Sequence, residues 1–215
     1  MNLLFVHQNY AGQYRELLPR LARTGKHRIV FLTQRKITQA PPDHTIVVYK
    51  PDGAAAKDAH AYTAWYESCI RNGVGAMQAA RQLAQSGFKP DLIIGHVGWG
   101  ELIFMKEVWP DVPVIGGFEY YFIPQGGLIG FDPEFREQPD IAPKLRARNA
   151  PNYLSLMASD DGHTASLWQK NTYPSIFHSK IKVLHEGIRT DRLSPDHDGT
   201  EPLKLGEVTF GREDE

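Results

Sequence analysis

The sequence has little of several features that mark particular classes of protein. It contains a single cysteine, Cys69, so an intramolecular disulfide and a metal site made only of cysteines are excluded. Cys69 lies in a helical pattern, where a buried structural thiol is the favoured role. No apolar run approaches the ~18 residues of a membrane span, and the start of the sequence lacks the basic and apolar regions of a signal peptide. We therefore expect a soluble, cytoplasmic protein, with contact to a membrane surface left open.

The sequence also lacks an excess of charge of either sign. Lys and Arg number 24 and Asp and Glu 25, which gives a formal net charge of −1. Such a balance produces no global field that would attract nucleic acid, so we expect no nucleic-acid partner. With 215 residues, of which 41% are apolar, the chain can bury one good core, and a single domain is expected.

Several motifs of cofactor and catalytic chemistry are absent as well. The loop after the first apolar run holds only Gly12 where a dinucleotide site would show Gly-x-Gly-x-x-Gly, so no dinucleotide cofactor is expected. The nine histidines form no His-x-x-x-His or His-Glu-x-x-His pattern, and we predict no metal. Neither a Gly-x-Ser-x-Gly elbow nor a P-loop occurs.

What the sequence does contain is a regular alternation of strand and helix patterns. Short apolar runs typical of buried parallel strands alternate with stripes of helical period and with turn signals. Strands are predicted at 3–7, 27–33, 44–50, 89–96, 112–118, 154–159 and 180–187. Helices are predicted from Tyr14 to Gly25, at 57–86, 101–109 and 141–155, and at 162–171 with Thr164 as N-cap. The pattern predicts a single α/β domain with a doubly wound, mostly parallel Rossmann-like sheet and helices on both faces.

Two segments depart from the alternation. Residues 120–140 are rich in glycine, proline and aromatic residues, and a loop this long in a compact domain is usually functional or mobile. Residues 194–215 are polar and irregular, and we interpret them as a linker that follows a domain over 1–193.

The carboxyl ends of the predicted strands carry the candidate site residues. The segment "HQNYAGQY", at 7–14, places Gly12 and Gln13 after the first strand. Backbone N–H groups of this loop could bind an anionic or hydroxylated ligand. Alternatively, the loop is a tight turn with Asn9 as a cap. "GHVGWGE" ends the fourth strand with His96, which could share a proton at neutral pH or be a hydrogen-bonded core histidine. Beside it, Trp99 lies between glycines, and Glu101 is predicted in the first turn of a helix.

Two further strand ends carry acidic residues. Glu119 follows the fifth strand within an apolar aromatic run, where a carboxylate needs a partner or a ligand hydroxyl. Tyr120 beside it could stack on a ligand ring or belong to the core. His185 and Glu186 precede Gly187 after the last strand, and adjacent strand residues point in opposite directions, so they are no metal pair.

Taken in order, three segments resemble the amino-terminal domain of retaining glycosyltransferases of family 4, which have the two-domain GT-B architecture. They are "HQNYAGQYRELLPRLARTGKH", "PDLIIGHVGWGE" and "IKVLHEGIRTDRLSP", and the resemblance covers roughly residues 1 to 195. It implies transfer of a sugar from a nucleotide-sugar to a glycan or a lipid-linked acceptor, with retention and without a metal or other cofactor. By position, His96 matches a histidine near the transferred sugar, and the resemblance implies that it is the catalytic residue.

The resemblance also implies roles for the other strand-end residues. Gly12 and Gln13 would lie near the donor phosphates, and His185, Glu186 and Gly187 near the passage to a second domain. The residues implied on the acceptor side are Asn9, Tyr10, Trp99, Glu101, Glu119 and Tyr120. The acidic Glu-x7-Glu motif of the family's donor domain has no counterpart after residue 195, so we expect that this chain is the acceptor-side half and is inactive without a carboxyl-terminal partner domain.

Two other interpretations stay open at this level. One is a stand-alone α/β domain that binds a ligand or partner through the aromatic loop at 118–135 without catalysis. The other is half of a nucleotide-sugar 2-epimerase of the same architecture. A receiver domain fits worse, because the first strand ends in His7 and Gln8 where an acidic pair would hold Mg²⁺.

Overall fold

The computed structural model describes residues 1–215 except 40, 55, 130, 133, 135–139, 194–201 and 212–215. Its centre is a seven-stranded sheet with the order β3-β2-β1-β4-β5-β6-β7. The strands are β1 Asn2–Val6, β2 Arg28–Thr33, β3 Thr45–Val48, β4 Leu92–His96, β5 Val114–Gly117, β6 Asp161–Thr164 and β7 Ile181–Val183. Every neighbouring pair is parallel, as predicted. All seven carboxyl ends therefore meet at one edge of the sheet.

Helices connect the strands. They are α1 Leu17–Arg23, α2 Ala64–Gln85, α3 Ile141–Arg148, α4 Ala150–Ala158 and α5 Leu167–Thr172, with 3₁₀ turns at Gly12–Tyr14, Met105–Glu107 and Ser175–Phe177. The chain leaves β1 toward β2 on one side and later returns to β4 on the other side of β1. This reversal of strand order makes a crevice at the carboxyl ends of β1 and β4, where open α/β sheets bind their ligands.

The core lies on both faces of the sheet because successive residues of a buried strand point to opposite faces. In β1, Leu4 and Val6 belong to the larger cluster, which α2 completes with small side chains such as Ala76. Phe5 belongs to the smaller cluster, which Leu18 of α1 completes. The continuous apolar runs of the sequence are explained by this burial on two sides.

Cys69 has the structural role that its pattern predicted. It lies buried in α2 as a free thiol. Burial, with the nearby Glu101 as a smaller cause, raises the pKa of the thiol to about 12. The side chain is therefore a neutral, packed group at physiological pH.

Four predicted elements are wrong in type or extent. Residues 154–158, predicted as part of a strand at 154–159, belong to the helix α4. Residues 161–164 form β6, and α5 begins after them with Ser166 as its N-cap, whose Oγ accepts a hydrogen bond from the amide of Gln169. The predicted helix at 57–86 begins only at Ala64. The predicted helix at 101–109 consists of turns and one 3₁₀ turn.

The error at β6 has a packing cause. A Cβ at Gly162 would overlap the ring of Phe118, so glycine is needed for this ring to pack against the backbone of β6. Glycine lowers strand and helix propensity alike, and the sequence pattern therefore favoured the helix that follows. The segment interpreted as a linker contains a two-stranded antiparallel hairpin, β8 Leu203–Leu205 and β9 Val208–Phe210. The domain boundary at 193 stays a prediction.

Candidate functional site

Titratable side chains from five strands meet at the carboxyl edge of the sheet. His96 is the last residue of β4, His7 directly follows β1, and Glu119 lies two residues after β5. His163 lies in β6, and Glu186 comes three residues after β7. Because the sheet is parallel throughout, residues far apart in sequence are neighbours here.

His96 and Glu119 form the central pair of this edge. The amide of Gly98 donates to His96 Nδ1 at 3.1 Å, so Nδ1 carries no proton and the proton is on Nε2. Nε2–H donates to Glu119 Oε2 at 2.9 Å. The imidazole is buried, whereas 57% of the Glu119 side chain is exposed. The buried His96 thus holds the carboxylate of Glu119 by a hydrogen bond, and this carboxylate lines the crevice.

The hydrogen bond from His96 determines the charge of Glu119. It lowers the pKa of Glu119 below the ordinary value, against a smaller opposing effect of burial. Glu119 is therefore ionised at neutral pH and accepts hydrogen bonds only. A ligand hydroxyl that donates to it would meet a fixed negative charge.

His7 supports the loop after β1 in the same manner. The amide of Asn9 donates to His7 Nδ1 at 2.9 Å, and His7 Nε2–H donates to Gln13 Oε1 at 2.5 Å. Burial, and then the neighbouring His96, lower the pKa of His7 to about 4, so the ring is neutral at physiological pH. The two rings lie 5.0 Å apart between centroids. His7 was not predicted as a site residue, although it follows its strand as His96 ends β4.

The close approach of His7 explains the glycine of this loop. Gly12 has a φ of +56°, and a Cβ there would lie 2.6 Å from His7 Nε2. Both the backbone conformation and the space therefore require glycine. Gly12 and Gln13 line the crevice.

The crevice itself is a pocket of about 630 Å³ between the loops that follow β1, β4, β5 and β7. Seven of the predicted site residues line it: Asn9, Gly12, Gln13, Trp99, Glu119, Glu186 and Gly187. The remaining lining includes the cationic Arg15 and Arg189. Arg189 is paired with Asp191 in the same loop.

The other predicted site residues lie elsewhere. Glu101 is fully buried and accepts a hydrogen bond at 2.6 Å from Tyr49 Oη. Burial raises the pKa of its carboxyl, and its side chain does not line the pocket. His44 Nδ1–H donates to Asp43 Oδ1, so His44 Nε2 accepts a hydrogen bond from Tyr10 Oη at 3.0 Å. Tyr10 does not line the crevice. His185 is exposed, and its Nδ1 accepts from the amide of Gly187 at 3.0 Å.

Two smaller cavities adjoin the large pocket on either side of Glu119. One, of about 150 Å³, is lined by His96, Glu119, Glu186 and His163, whose pKa burial lowers. The other, of about 100 Å³, has Trp65, Trp99 and Phe122 among its lining residues. It includes Tyr120, whose Oη accepts a hydrogen bond from the amide of Leu128 at 2.9 Å.

Sequence reasoning missed His163, and no pattern marked it, because the segment around it was taken for a helix. No group of three or more histidine, cysteine, aspartate or glutamate side chains within the described residues is arranged to hold a metal ion. Among the same residues, no helix combines the length and the apolar character needed to cross a membrane.

Comparison with known proteins gives a family match. Residues 25–193 match the model of a glycosyl transferase family 4 group. No curated protein matches the sequence.

Several solved structures are similar to this chain. Os79 from O. sativa, in complex with UDP and deoxynivalenol-3-glucoside, is 12% identical with a TM-score of 0.56, over 91% of this chain and 56% of Os79. A UDP-glucose: anthocyanidin 3-O-glucosyltransferase in complex with UDP is 10% identical with a TM-score of 0.52, over 91% and 55% of the two chains. UDP-GlcNAc 2-epimerase from Methanocaldococcus jannaschii is 14% identical with a TM-score of 0.46, over 85% and 45%. The chain thus spans about half the length of these structures.

Proposed function

This chain belongs to the glycosyl transferase family 4 group, and we propose that it is the acceptor-side half of a retaining glycosyltransferase. The complete reaction would transfer a sugar from a nucleotide-sugar to a hydroxyl of a glycan or another acceptor. One observation carries the proposal: the ionised Glu119, held by His96, faces a pocket of about 630 Å³ at the reversal point of a parallel sheet. Such a point is where α/β enzymes bind substrates.

Glu119 is the proposed contact to the acceptor. An ionised carboxylate accepts a hydrogen bond from a sugar hydroxyl, and such charge-assisted bonds are stronger than neutral ones. The lowered pKa makes Glu119 a weak base, so we assign it to binding and orienting the hydroxyl rather than to removing its proton. His96, which was predicted to be the catalytic residue, then acts through Glu119 as a positioning residue.

The loop after β1 is the proposed site for the donor phosphates. Gly12 allows a close backbone approach, and Gln13 keeps its NH₂ group for a ligand because its Oε1 already accepts from His7. Arg15 lines the same pocket and adds positive charge near a diphosphate, whereas the charge of Arg189 is already balanced by Asp191. Asn9 and Trp99 would then lie beside the transferred sugar and the acceptor.

The remaining parts of the proposal follow the resemblance. The nucleotide-sugar serves as a co-substrate, and neither a metal nor another cofactor is required. Most of the nucleotide would be held by a second domain, which the loop at 185–187 would approach. A cytoplasmic location is proposed because the one cysteine is a free thiol.

A titration of this chain with glycans tests the proposal. UDP, GDP, their sugars and a panel of methyl glycosides and oligosaccharides are added, and binding is followed by NMR and calorimetry. We expect glycans to shift the amide signals of residues 9–12, 96–101 and 119–120. Glu119→Gln should weaken glycan binding by about 10-fold or more, because it removes a hydrogen bond to a charged group.

Glu107→Gln is the matched control. Glu107 is exposed in the 3₁₀ turn beside Lys106, which pairs with Asp160 just before β6, at the opposite edge of the sheet. This variant removes the same charge and should bind glycans as the wild type does. Equal binding by Glu119→Gln and wild type would refute the role of Glu119. A folded chain that binds none of the glycans would refute the acceptor-side assignment.

A further inference from the structure

Arg148, at the end of α3, is a cation without a counter-ion in the described part of the chain. Its guanidinium lies over the ring of Trp65 at 4.5 Å and over the ring of Phe122 at 4.6 Å. Its Nε is buried and has no hydrogen-bond partner there, and no carboxylate of the described residues forms an ion pair with it. Among the described residues, the guanidinium therefore has aromatic contacts but no hydrogen-bond acceptor.

A guanidinium with unpaired N–H groups is energetically unfavourable unless an acceptor binds to them. Cation–π contacts stabilise the charge through the ring faces, but they leave the N–H donors at the edge of the guanidinium plane unpaired. A buried donor without an acceptor costs free energy, and more so when it is charged. A planar guanidinium edge is the group that binds carboxylates and phosphates in proteins.

Arg148 lines the aromatic cavity of about 100 Å³ that adjoins the large pocket. Trp65, Phe122 and Tyr120 form much of its wall. A volume of this size corresponds to about three water molecules in the liquid, so it accommodates one carboxylate or phosphate group but no complete sugar ring. Only a substituent of a larger ligand can enter.

The cavity and the large pocket share two lining residues, Trp99 and Glu119. A ligand that occupies the large pocket can therefore extend a substituent past Trp99 toward Arg148. The two charged residues differ in sign, so an anionic substituent is repelled by Glu119 and attracted by Arg148. This charge pattern favours the orientation in which the anionic substituent points toward Arg148 and away from Glu119.

We propose that Arg148 is a specificity-determining residue that binds the anionic group of an acidic acceptor sugar, while a hydroxyl of the same sugar donates to Glu119. The anionic group is the carboxylate of a uronic acid or the phosphate of a sugar phosphate. Trp99, which lines both the cavity and the large pocket, would contact a C–H face of the sugar ring. This inference rests on the proposed acceptor-side function and names the class of acceptor.

The test compares matched neutral and acidic sugars on the wild-type chain. Methyl glucoside, methyl glucuronide, glucose 6-phosphate and inorganic phosphate are titrated separately by NMR and calorimetry. The glucuronide or the sugar phosphate should bind at least ~10-fold more tightly than the glucoside, as expected of charge-assisted hydrogen bonds. Whichever acidic sugar binds more tightly identifies the anionic group.

Three variants assign the preference to the guanidinium. Arg148→Gln should reduce the difference between acidic and neutral sugars to ~2-fold or less, and Arg148→Lys should keep part of it because charge remains without the planar donors. Arg146→Gln is the matched control: it removes an equal charge from the last turn of the same helix, and Arg146 is exposed and does not line the cavity. It should keep the full preference. Circular dichroism checks that every variant is folded.

Each outcome decides between the two proposals. Equal binding of acidic and neutral sugars by the wild type overturns this inference and leaves the acceptor-side function standing. A preference that persists in Arg148→Gln overturns the role of Arg148. Inorganic phosphate that binds as tightly as the acidic sugars shows a simple anion site and overturns the assignment to a sugar. Absence of binding by every sugar overturns both proposals.

Discussion

His96 ends its strand with both ring nitrogens engaged, and this determines what it can do. The amide two residues later donates to Nδ1, and the same local arrangement recurs at His7 and His185. Each ring therefore carries its proton on Nε2 and acts as a donor. At His96 the acceptor is Glu119, so a neutral histidine holds an ionised carboxylate in place.

Replacing His96 tests this relation through the titration of Glu119. In His96→Ala the hydrogen bond that lowers the Glu119 pKa is lost, so the pKa should rise toward the ordinary value for glutamate. Glycan binding, which needs the carboxylate, should then be lost at a higher pH on acidification than in the wild type. The measurement is the pH dependence of the Glu119 carboxyl signal by ¹³C NMR, together with binding constants across the same range.

His96→Gln gives a rescue that a purely structural role would not predict. Its side-chain amide can donate to Glu119, so part of the lowered pKa should return. If Glu119 titrates identically in the wild type and in His96→Ala, then His96 does not position the carboxylate.

Among the elements, α2 has a face of small residues that brings its backbone against neighbouring loops. A Cβ at Gly75 would overlap the carbonyl oxygen of Lys50, just beyond β3. Gly100, with a φ of +100°, lies equally close to the carbonyl of Cys69 in the same helix. The loop that carries Trp99 is therefore positioned by backbone contact with α2, and Asn72 adds a hydrogen bond to the carbonyl of Trp99 at 3.0 Å.

Gly75→Ala should destabilise the protein, contrary to its effect in an isolated helix. Alanine favours a helix interior by about 0.5–1 kcal/mol over glycine. Here the added methyl group meets backbone that cannot rotate away, and overpacking of this kind costs about 1–3 kcal/mol. Urea unfolding measures the difference in the free energy of unfolding. Gln78→Ala, at an exposed position of the same helix, should change it by less than about 0.5 kcal/mol. A stabilised Gly75→Ala would contradict the close packing.

On the scale of the whole molecule, the sheet joins two apolar clusters into one structure. Leu4 and Phe5 are neighbours in β1, both are fully buried, and they belong to opposite clusters. The strand between them is common to both cores. We therefore expect the two faces to unfold together.

Leu4→Ala and Phe5→Ala test this expectation. The loss of buried volume should lower the free energy of unfolding by about 2–5 kcal/mol for leucine and about 3–5 kcal/mol for phenylalanine. In each variant, far-UV circular dichroism and tryptophan fluorescence should report one coincident transition. Two separate transitions in either variant would show that the faces are independent units.

The sequence by itself determined the class of fold and the edge on which the site lies. Continuous apolar runs such as "LLFV" and "RIVFL" indicate burial on two faces, and their alternation with helical patterns specifies a parallel sheet covered by helices. A parallel sheet collects its strand ends at one edge, so Gly12, Trp99, Glu119 and Glu186 could be predicted together. Local patterns were least reliable where packing overrode propensity, as at Gly162, whose place in β6 depends on the ring of Phe118.

Only the tertiary structure decided the state of each side chain at that edge. Glu101 and Glu119 look alike in sequence, yet one is buried against Tyr49 and the other faces the pocket. His7 and Arg148 gained their importance from neighbours distant in the chain. Charge, tautomer and exposure depend on contacts across the sheet, and sequence spacing contains no information about those distances.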